Sequence, residues 1–380
     1  MNIPFVFGKL ATGDNFTDRQ EETARLRANF ANCINTIIIS PRRWGKSSLV
    51  HKAAALALSD NPDLRVCHID LFNILNAENF YNEYAKAIIQ ATSSRLDEFI
   101  ANAKKFLASL TPKITIGSLP GEEISLSLDF ETLRLNPNEV LNLPEKIALE
   151  KGIKICVCID EFQKISEWEN SDYLQGKFRS FWQHHQHVGY CLYGSKRHMM
   201  MDIFTDSSKP FYRFGDLIFL KKIPGDELKN FIKDRFRESD KEITEEAAAL
   251  IADTVSNHPY YCQQLAQLCW LRCGERCDEE VVRAAHISLV EQLSLLFANL
   301  TEELTPQQLS YLKAILSGET AITSTEVMVR YGISSATAAS RSKNALVARD
   351  ILDFTEGIPQ FLDPIYRYWL AHSFFRLPHP

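Results

Sequence analysis

Residues Ser40–Ser48 lie between an apolar run and a helical stretch, and this order constrains the fold more than any other feature of the chain. The apolar run is Thr36–Ile39, and the helical stretch is Leu49–Leu58. Strand, tight loop and helix form the arrangement that a phosphate-binding loop needs, because loop N–H groups and the helix N-terminus then converge on anionic oxygens. A chance Gly-Lys-Ser turn at a helix start is the alternative, and the flanking strand and helix argue against it.

The loop and the first turn of its helix supply the candidate phosphate-binding residues. In the pattern G-x-x-x-x-G-K-[ST], Lys46 would reach the β- and γ-phosphates and the Ser47 hydroxyl would bind Mg²⁺. Ser40 stands where the pattern has its first glycine. A small residue can still turn the chain there. The candidate set is Ser40, Pro41, Arg42, Arg43, Trp44, Gly45, Lys46, Ser47 and Ser48.

A second apolar run ends in two carboxylates. Lys154–Ile159 shows no alternation, which is typical of a strand buried on both faces of a parallel sheet, and Asp160 and Glu161 follow it. Ligands bind at the carboxyl ends of strands in open α/β sheets. Asp160 would therefore hold Mg²⁺ and Glu161 would polarise an attacking water. The alternative is that acidic residues merely solvate a strand end. The phosphate-binding pattern at Lys46 makes this alternative less favoured.

Composition places the chain among intracellular globular proteins. With 380 residues and 45% apolar content, it is long enough for two or three domains with a sizeable core. A net charge of -6 argues against coating nucleic acid through bulk charge, but not against a local basic patch. The apolar runs are strand-sized and the N-terminus lacks a signal-peptide pattern, so we expect a cytoplasmic protein with no membrane partner.

The cysteines fall into two groups. Cys156, Cys158 and Cys191 lie in predicted buried strands, where cysteine packs as a small hydrophobe. Cys269, Cys273 and Cys277 recur every four residues along a predicted helix, a spacing that favours packing over a zinc site. The odd total of 9 favours reduced thiols.

The remaining elements before residue 223 alternate between strand and helix, with one interruption. Residues 111–130 alternate apolar and polar around Pro120-Gly121, which predicts a hairpin inserted into the core. Thr17 or Asp18 is expected to cap the first helix. The predicted strands are 64–70, 190–195 and 217–220, and the predicted helices are 71–94 and 173–186.

The second half is helical and ends in a hairpin. Asp226 is the expected cap of a helical region that runs to about residue 298, and a turn at 257–259 precedes one of its helices. Residues 305–316, 323–331 and 334–348 form three further predicted helices, followed by a hairpin at 351–364 with its turn at Glu356-Gly357. Three helices and a hairpin are the pattern of a winged helix.

The third of these helices would be the recognition helix. Arg341, Lys343 and Asn344 on it are residue types that touch phosphates or base edges. Residues 305–380 contain seven Lys or Arg and six Asp or Glu, a balance that is weak for a duplex binder. DNA contact and protein contact therefore both stay open.

Taken together, these motifs resemble those of an archaeal-type P-loop ATPase of the STAND/AAA+ group. The resemblance implies an α/β P-loop NTPase core with a parallel AAA+-like sheet at 1–222, an α-helical lid at 223–300 and a winged-helix domain at 301–380. It also implies ATP or ADP with Mg²⁺, and self-association. The chain has no [NT]-K-x-D guanine signature, which favours ATP over GTP.

The resemblance also implies roles for single residues outside the two main motifs. Phe16 and Arg19 would close over the adenine, and His258 and Pro259 would face the base or ribose. Ser195, at the end of a strand, would act as a polar sensor of the γ-phosphate. Arg213 would be offered to a γ-phosphate, in cis or from a neighbouring subunit. For each of these residues an ordinary helix, turn or surface role is the alternative.

Two functions are compatible with the sequence. In the first, Mg²⁺-dependent ATP hydrolysis drives a rearrangement that reaches the winged helix, with Lys46, Glu161, Ser195 and Arg213 as the catalytic set. In the second, the chain is an ATP/ADP-dependent switch or scaffold with little turnover. The presence of Glu161 favours hydrolysis.

Overall fold

The computed structural model describes residues 3–110, 112–115, 125–128, 136–354 and 357–378. The chain divides into two compact units. The first, the loop unit, is Arg19–Lys221, and the second, the C-terminal unit, is Met1–Asp18 together with Lys222–Pro380. The three predicted domain boundaries, 1–222, 223–300 and 301–380, stay a prediction.

A parallel five-stranded sheet is the centre of the loop unit. Its strand order is β2-β5-β6-β1-β7, and every neighbouring pair is parallel. The apolar runs form it because parallel strands lose water on both faces, and β6 is buried throughout. The strands are β1 Thr36–Ile39, β2 Leu64–Asp70, β5 Lys154–Asp160, β6 Val188–Gly194 and β7 Asp216–Phe219, which confirms the predicted sheet.

Helices cover this sheet and bury an aromatic cluster against it. Trp182 stacks on Tyr190 of β6 with ring centroids 4.3 Å apart, and Phe178 stacks on Trp182 at 5.2 Å. The predicted helix at 71–94 begins only at Ala77, because the side chain of Asn76 caps it after a short turn. The helices are α1 Gln20–Ala31, α2 Lys46–Asp60, α3 Ala77–Ala91, α4 Leu96–Phe106, α5 Pro137–Leu141, α6 Leu143–Lys151, α7 Ser171–Trp182 and α8 Arg197–Thr205.

The predicted insertion contains a short antiparallel ladder. Strand β3, Lys113–Thr115, pairs with β4, Ser125–Ser127, with Ile114 opposite Leu126 in the backbone register. The proposed turn at Pro120-Gly121 lies outside the described residues. The paired strands agree with the hairpin prediction.

The expected cap of the first helix is wrong. The residue that precedes α1 is Arg19, in a left-handed conformation with φ of 66°, and neither Thr17 nor Asp18 occupies the cap position. Arg19 is buried, and its guanidinium donates to Glu22 Oε1 at 3.1 Å and to the carbonyl of Lys221 at 2.6 Å. These bonds, one of them to a residue distant in sequence, outweigh the local preference for a short polar cap.

The C-terminal unit is built mainly from helices around one continuous core. Phe5 joins that core, where its ring lies 5.6 Å from Phe236, and Arg235 Nε donates to the carbonyl of Pro4 at 3.0 Å. Its first helices are α9 Gly225–Arg237, α10 Glu245–Thr254, α11 Pro259–Arg272 and α12 Glu279–Glu302, with β8 Glu242–Ile243 pairing with β9 Arg276–Cys277.

Two sequence predictions in this region are wrong. Helix α9 starts at Gly225 after Pro224, so Asp226 lies in the first turn and is not the cap. Cys269, Cys273 and Cys277 do not share a helix, because α11 ends at Arg272 and Cys277 lies in β9. All nine cysteines are free, and Cys156, Cys158 and Cys191 are buried as predicted.

Residues 305–361 have the predicted order of three helices and a paired hairpin. Thr305 caps α13 in a reciprocal capping box with Gln308, and Gly332 ends α14 with φ of 70°, a left-handed value that glycine adopts at no steric cost. The elements are α13 Pro306–Leu316, α14 Thr325–Tyr331, α15 Ala336–Ala348, β10 Leu352–Asp353, β11 Gln360–Phe361, α16 Pro364–Trp369 and a π-helical segment Leu370–Phe374. Glu356 of the expected turn lies outside the described residues.

One described helix, α12, is long and apolar enough to cross a membrane by length and composition alone, with a mean hydropathy of 1.3 over its most apolar window. A single helix of this kind is weak evidence, because core helices of soluble proteins meet the same criteria. Its residues Ala285, Leu289 and Phe297 belong to the core of the C-terminal unit.

Candidate nucleotide-binding site

Three neighbouring strands end at the same edge of the sheet of the loop unit. Ile39 at the end of β1 pairs with Gly194 at the end of β6, and Ile159 of β5 pairs with Leu192 of β6. The polar residues at or just after the strand ends therefore meet there, as in other open α/β sheets. They are Ser40, Asp160, Glu161 and Ser195.

The loop after β1 turns sharply into α2. Gly45 precedes the helix with φ of 86°, in the left-handed region where glycine carries no steric penalty. Ser40 is completely buried and its hydroxyl donates to the carbonyl of Pro41 at 3.2 Å. Ser40 is absent from the described residues with positive φ, so this position does not require the glycine of the general pattern.

Lys46 is the first residue of α2 and is only 6% exposed. Its charge acts on both carboxyls of the site, where it lowers the pKa of Asp160 and of Glu161 against the effect of burial. Trp44 and Ser48 of the same segment are buried, whereas Arg42 and Arg43 are exposed. A buried lysine at a helix N-terminus beside two carboxylates is an arrangement that suits a bound anion with a metal counter-ion.

Ser47 and Asp160 form a pair of oxygen donors. The Ser47 hydroxyl donates to Asp160 Oδ2 at 2.8 Å, and Asp160 Oδ1 accepts from the Glu161 amide at 2.7 Å. Hydroxyl and carboxylate oxygens are the ligand types that Mg²⁺ takes, usually with several waters and substrate phosphates. These residues therefore fit the expected metal.

The two adjacent carboxyls have pKa values shifted in opposite directions. Burial raises the pKa of Asp160, and the opposing effects of Lys46 and of Ser47 do not cancel it. Burial acts in the same sense on Glu161, but Lys46 and the hydrogen bonds to its side chain outweigh it, so its pKa lies below the ordinary value. The protein alone therefore does not fully stabilise the charge of ionised Asp160, and a divalent cation would stabilise it further. Glu161, by contrast, is stabilised as an anion by the protein alone.

Three hydrogen bonds hold Glu161. Its backbone lies in the left-handed region with φ of 51°, an uncommon value for a residue with a side chain. Oε2 accepts from the Ser195 hydroxyl at 2.8 Å, from the Ser195 amide at 3.4 Å and from Gln163 Nε2. Arg42 Nε in turn donates to the Ser195 hydroxyl at 3.3 Å. The predicted sensor and the predicted water-polarising residue are therefore in direct contact.

Gln163 is a site residue that the sequence analysis missed. It is 1% exposed, and among the described residues nothing hydrogen-bonds its Oε1. A Cβ at Gly194 would lie 1.8 Å from that oxygen, so glycine at the end of β6 is what lets Gln163 approach. The sequence feature that could have indicated Gln163 as a site residue is its position as a polar residue between the buried Phe162 and Ile165.

Arg213 is not brought to this edge. It lies three residues before β7, and β7 runs parallel to β1 with Asp216 opposite Thr36. Arg213 is therefore near the amino ends of the strands, whereas the loop at Ser40 follows the carboxyl ends. Its side chain is exposed, 5.1 Å from the Tyr212 ring. Arg19 is likewise occupied by its contacts to Glu22 and Lys221.

The other predicted residues belong to the C-terminal unit. His258 precedes α11, is buried, and has its ring 5.0 Å from that of Tyr261, and Pro259 is the first residue of the helix. Phe16 is partly buried. Their contact with a nucleotide stays a prediction.

The predicted recognition helix is α15. Arg341 and Asn344 are exposed on it, and Lys343 Nζ lies 4.2 Å from the Phe354 ring centroid.

A P-loop between β1 and α2, acidic residues at the end of β5, and the strand order of the sheet define a P-loop fold of the AAA+ kind. No family model and no curated protein matches the chain. Among solved structures, a Walker-type ATPase of Pyrococcus abyssi is similar, with a TM-score of 0.67 and 18% identity over 97% of this chain and 99% of that one.

The ORC2 protein of Aeropyrum pernix, solved in ADPNP–ADP complexes, has a TM-score of 0.56 and 15% identity over 95% of this chain and 94% of its own. Both similarities extend over nearly the whole of each chain. At these identities they establish the fold. The chain accordingly has the fold of the AAA+ P-loop ATPases.

Proposed function

We propose that this protein binds ATP with Mg²⁺ and hydrolyses it at the edge of the sheet beside Lys46. One observation carries the proposal: Lys46, Ser47, Asp160 and Glu161 form a single connected cluster, with a Ser47–Asp160 distance of 2.8 Å. The solved ATPase of similar fold supports the nucleotide.

Each residue of the cluster has a defined task in this proposal. The loop amides and Lys46 bind the phosphate oxygens and offset their charge as it redistributes in the transition state. Glu161 orients the attacking water and accepts its proton, a role for which a carboxylate ionised at neutral pH is suited. Ser47 and Asp160 would hold Mg²⁺, which would supply positive charge against the negative charge that develops on the phosphate oxygens.

Phosphate release by the full chain tests this assignment. Glu161→Gln keeps the shape of the side chain but cannot accept a proton, so we expect turnover to fall by about 10²- to 10³-fold with ATP binding retained. Glu150→Gln is the matched control, because Glu150 is exposed and its ion pair with Lys105 involves no residue of the cluster. Equal turnover in Glu161→Gln and the unaltered chain would remove Glu161 from its role.

A second function, a nucleotide-dependent switch with low turnover, is favoured by the contacts of Glu161. Oε2 receives three hydrogen bonds from Ser195 and Gln163, so in this conformation the oxygen is already occupied. Release of Glu161 would then require Ser195 to move toward a bound γ-phosphate. Single-turnover kinetics separate the two functions: a slow step before cleavage that Ser195→Ala abolishes supports the switch.

The proposed readout is the C-terminal region at residues 301–380, with α15 as its contact helix. Arg341 and Asn344 are exposed there, and either DNA or a protein is a partner for such a surface. Gel shifts at two salt concentrations decide between them, because backbone contacts weaken steeply with salt. A complex that Arg341→Ala and Asn344→Ala weaken supports DNA, whereas no complex even at low salt leaves a protein partner.

Self-association is the remaining part of the proposal. Arg213 is exposed and lies far along the strands from Lys46, so any action on a γ-phosphate would come from a second copy of the chain. If so, mixing Arg213→Ala with Glu161→Gln protein would restore part of the turnover. Two variants that stay inactive when mixed would contradict an action in trans.

A further inference from the structure

A cleft of about 710 Å³ opens within the C-terminal unit. Its lining comes mainly from helices α10 and α12 and from the segment between Pro364 and Pro378. The volume is that of pockets that enclose small organic molecules. None of the residues assigned to the nucleotide site lies in it.

The cleft is positively charged. Arg283 on α12 and Arg367 on α16 both line it. Within the described part of the chain, neither guanidinium has an ion pair or hydrogen bond, and none of the lining residues is an aspartate or glutamate. Two guanidinium groups at one cleft with no acidic partner repel each other, and a bound anion would remove that cost while accepting their hydrogen bonds.

His286 adds a polar group that lacks a partner. It lies one turn after Arg283 on α12, is 8% exposed, and its Nε2 has no hydrogen-bond partner among the described residues. Burial, with a smaller effect of His372, lowers the pKa of His286 to about 4. A buried nitrogen without a hydrogen-bond partner destabilises the folded protein. An anion would accept a hydrogen bond from this nitrogen and would also favour its protonation.

Aromatic and apolar groups complete the lining. The Tyr368 ring lies 4.5 Å from the ring of His286 and 4.5 Å from that of His372. Leu250 and Ile287 supply apolar surface from α10 and α12. The lining also includes part of the π-helical segment Leu370–Phe374, and short π-helical turns occur often at binding sites.

We propose that this cleft binds a small organic anion. A phosphate or carboxylate group would lie against Arg283, Arg367 and His286, and an apolar part of the ligand would pack against Tyr368 and the aliphatic lining. This site is separate from the nucleotide site and does not depend on ATP turnover.

The first test uses three simple probes on the full chain carrying Lys46→Ala, so that the phosphate loop does not compete. Phenyl phosphate and benzoate carry the two candidate anionic groups on a ring, and benzyl alcohol carries the ring without charge. NMR of histidine-labelled protein follows the imidazole of His286, assigned with His286→Gln. We expect saturable shifts with at least one anion up to about 10 mM, and a rise in the pKa of His286 by about one unit or more.

His185 of the loop unit is the internal control for that measurement. Burial lowers its pKa to about 4 as well, but its ring nitrogens contact Tyr190 Oη at 2.9 Å and Asn142 Oδ1 at 3.4 Å. Its resonance should stay unchanged. No saturable shift of His286 with either anion, or benzyl alcohol binding as tightly as the anions, would overturn the proposal.

The second test removes the charges one at a time. Arg283→Ala and Arg367→Ala should each weaken binding of the preferred anion by about tenfold, and Arg283→Lys should retain part of it. Both arginines are exposed, so we expect unchanged thermal unfolding midpoints. Arg276→Ala, an exposed arginine of β9 outside the cleft, is the matched control. Affinities equal to those of the control in both cleft variants would contradict the assignment.

Discussion

The loop unit and the C-terminal unit both concentrate polar groups at one place, but they do so differently. In the loop unit, polar residues at the ends of adjacent buried strands are hydrogen-bonded to other members of the site, as Asp160 is to Ser47 and Glu161 is to Ser195. In the C-terminal unit, Arg283, Arg367 and the Nε2 atom of His286 have no such partners within the described chain.

This difference separates two ways of preparing a site. A hydrogen-bonded cluster is arranged before its ligand arrives, so that loss of one member disturbs the others. Arg283, Arg367 and the neutral ring of His286 gain protein–ligand hydrogen bonds only when a ligand binds, so the stability of the ligand-free protein should change little on loss of any one of them.

Lys46→Ala should weaken Mg²⁺-dependent ATP binding by about 100-fold. The lysine is buried and its charge acts on two carboxyls, so its removal takes away a charged contact to the phosphates and leaves Asp160 and Glu161 without that stabilising charge. Calorimetric titration with ATP in the presence of Mg²⁺ measures the change.

Lys52→Ala, an exposed lysine of the same helix, is the control and should bind ATP normally. Anion binding in the cleft of the C-terminal unit should be the same in both variants. ATP affinity that is equal in Lys46→Ala and Lys52→Ala would contradict the nucleotide site itself.

The sequence predicts the loop unit well for a physical reason. A strand buried on both faces must be an apolar run, so Thr36–Ile39 and Lys154–Asp160 are visible without the structure, and a polar residue directly after such a run must lie at the sheet edge. This places Ser40, Asp160 and Glu161 correctly. Cap residues are predicted less well, because the contact of Arg19 with Lys221 is long-range and leaves no local pattern.

Two further features required the structure. Gln163 is within the site only because Gly194, on another strand, leaves space for its amide. The cleft draws its lining from α10, α12 and the segment from Pro364 to Pro378, and no one of these segments contains a recognisable motif. Contacts between residues distant in sequence produce both features, and single-sequence patterns carry no information on them.

Gln163→Leu should lower turnover by about tenfold without changing the ATP dissociation constant. Its Nε2 donates to the Glu161 carboxylate, and a hydrogen bond to a charged group contributes on the order of 1.5–3 kcal/mol. Gln163 acts here through Glu161 and is a positioning residue. Its loss should raise the pKa of Glu161, so the acid limb of the pH–rate profile should move to higher pH.

Gln175→Leu is a closely matched control for that substitution. Gln175 is a buried glutamine of the same unit whose Oε1 also lacks a partner among the described residues, and its Nε2 donates to Ser171 on α7 rather than to the site. A similar loss of turnover in both variants would mean that Gln163 acts through general stability and not through Glu161.

The smallest effect compares the partly buried His185 with the buried His286. His185 and His286 each have a pKa lowered to about 4, chiefly by burial, against about 6.5 in an unfolded chain. The unfolded chain therefore binds more protons between these values, so each histidine lowers local stability as pH falls from about 6.5 toward 4.

Substitution of either histidine should flatten that dependence, but the two substitutions should differ in how much stability they cost at pH 7. His185→Gln disturbs contacts to Tyr190 and Asn142 and should cost about 1 kcal/mol, whereas His286→Gln removes a ring nitrogen that has no partner and should cost less. Hydrogen exchange of peptides from each unit at pH 7 and pH 5 measures local stability. An equal cost for both variants at pH 7 would mean that His286 is already satisfied, and the cleft would then lose its strongest reason to take up an anion.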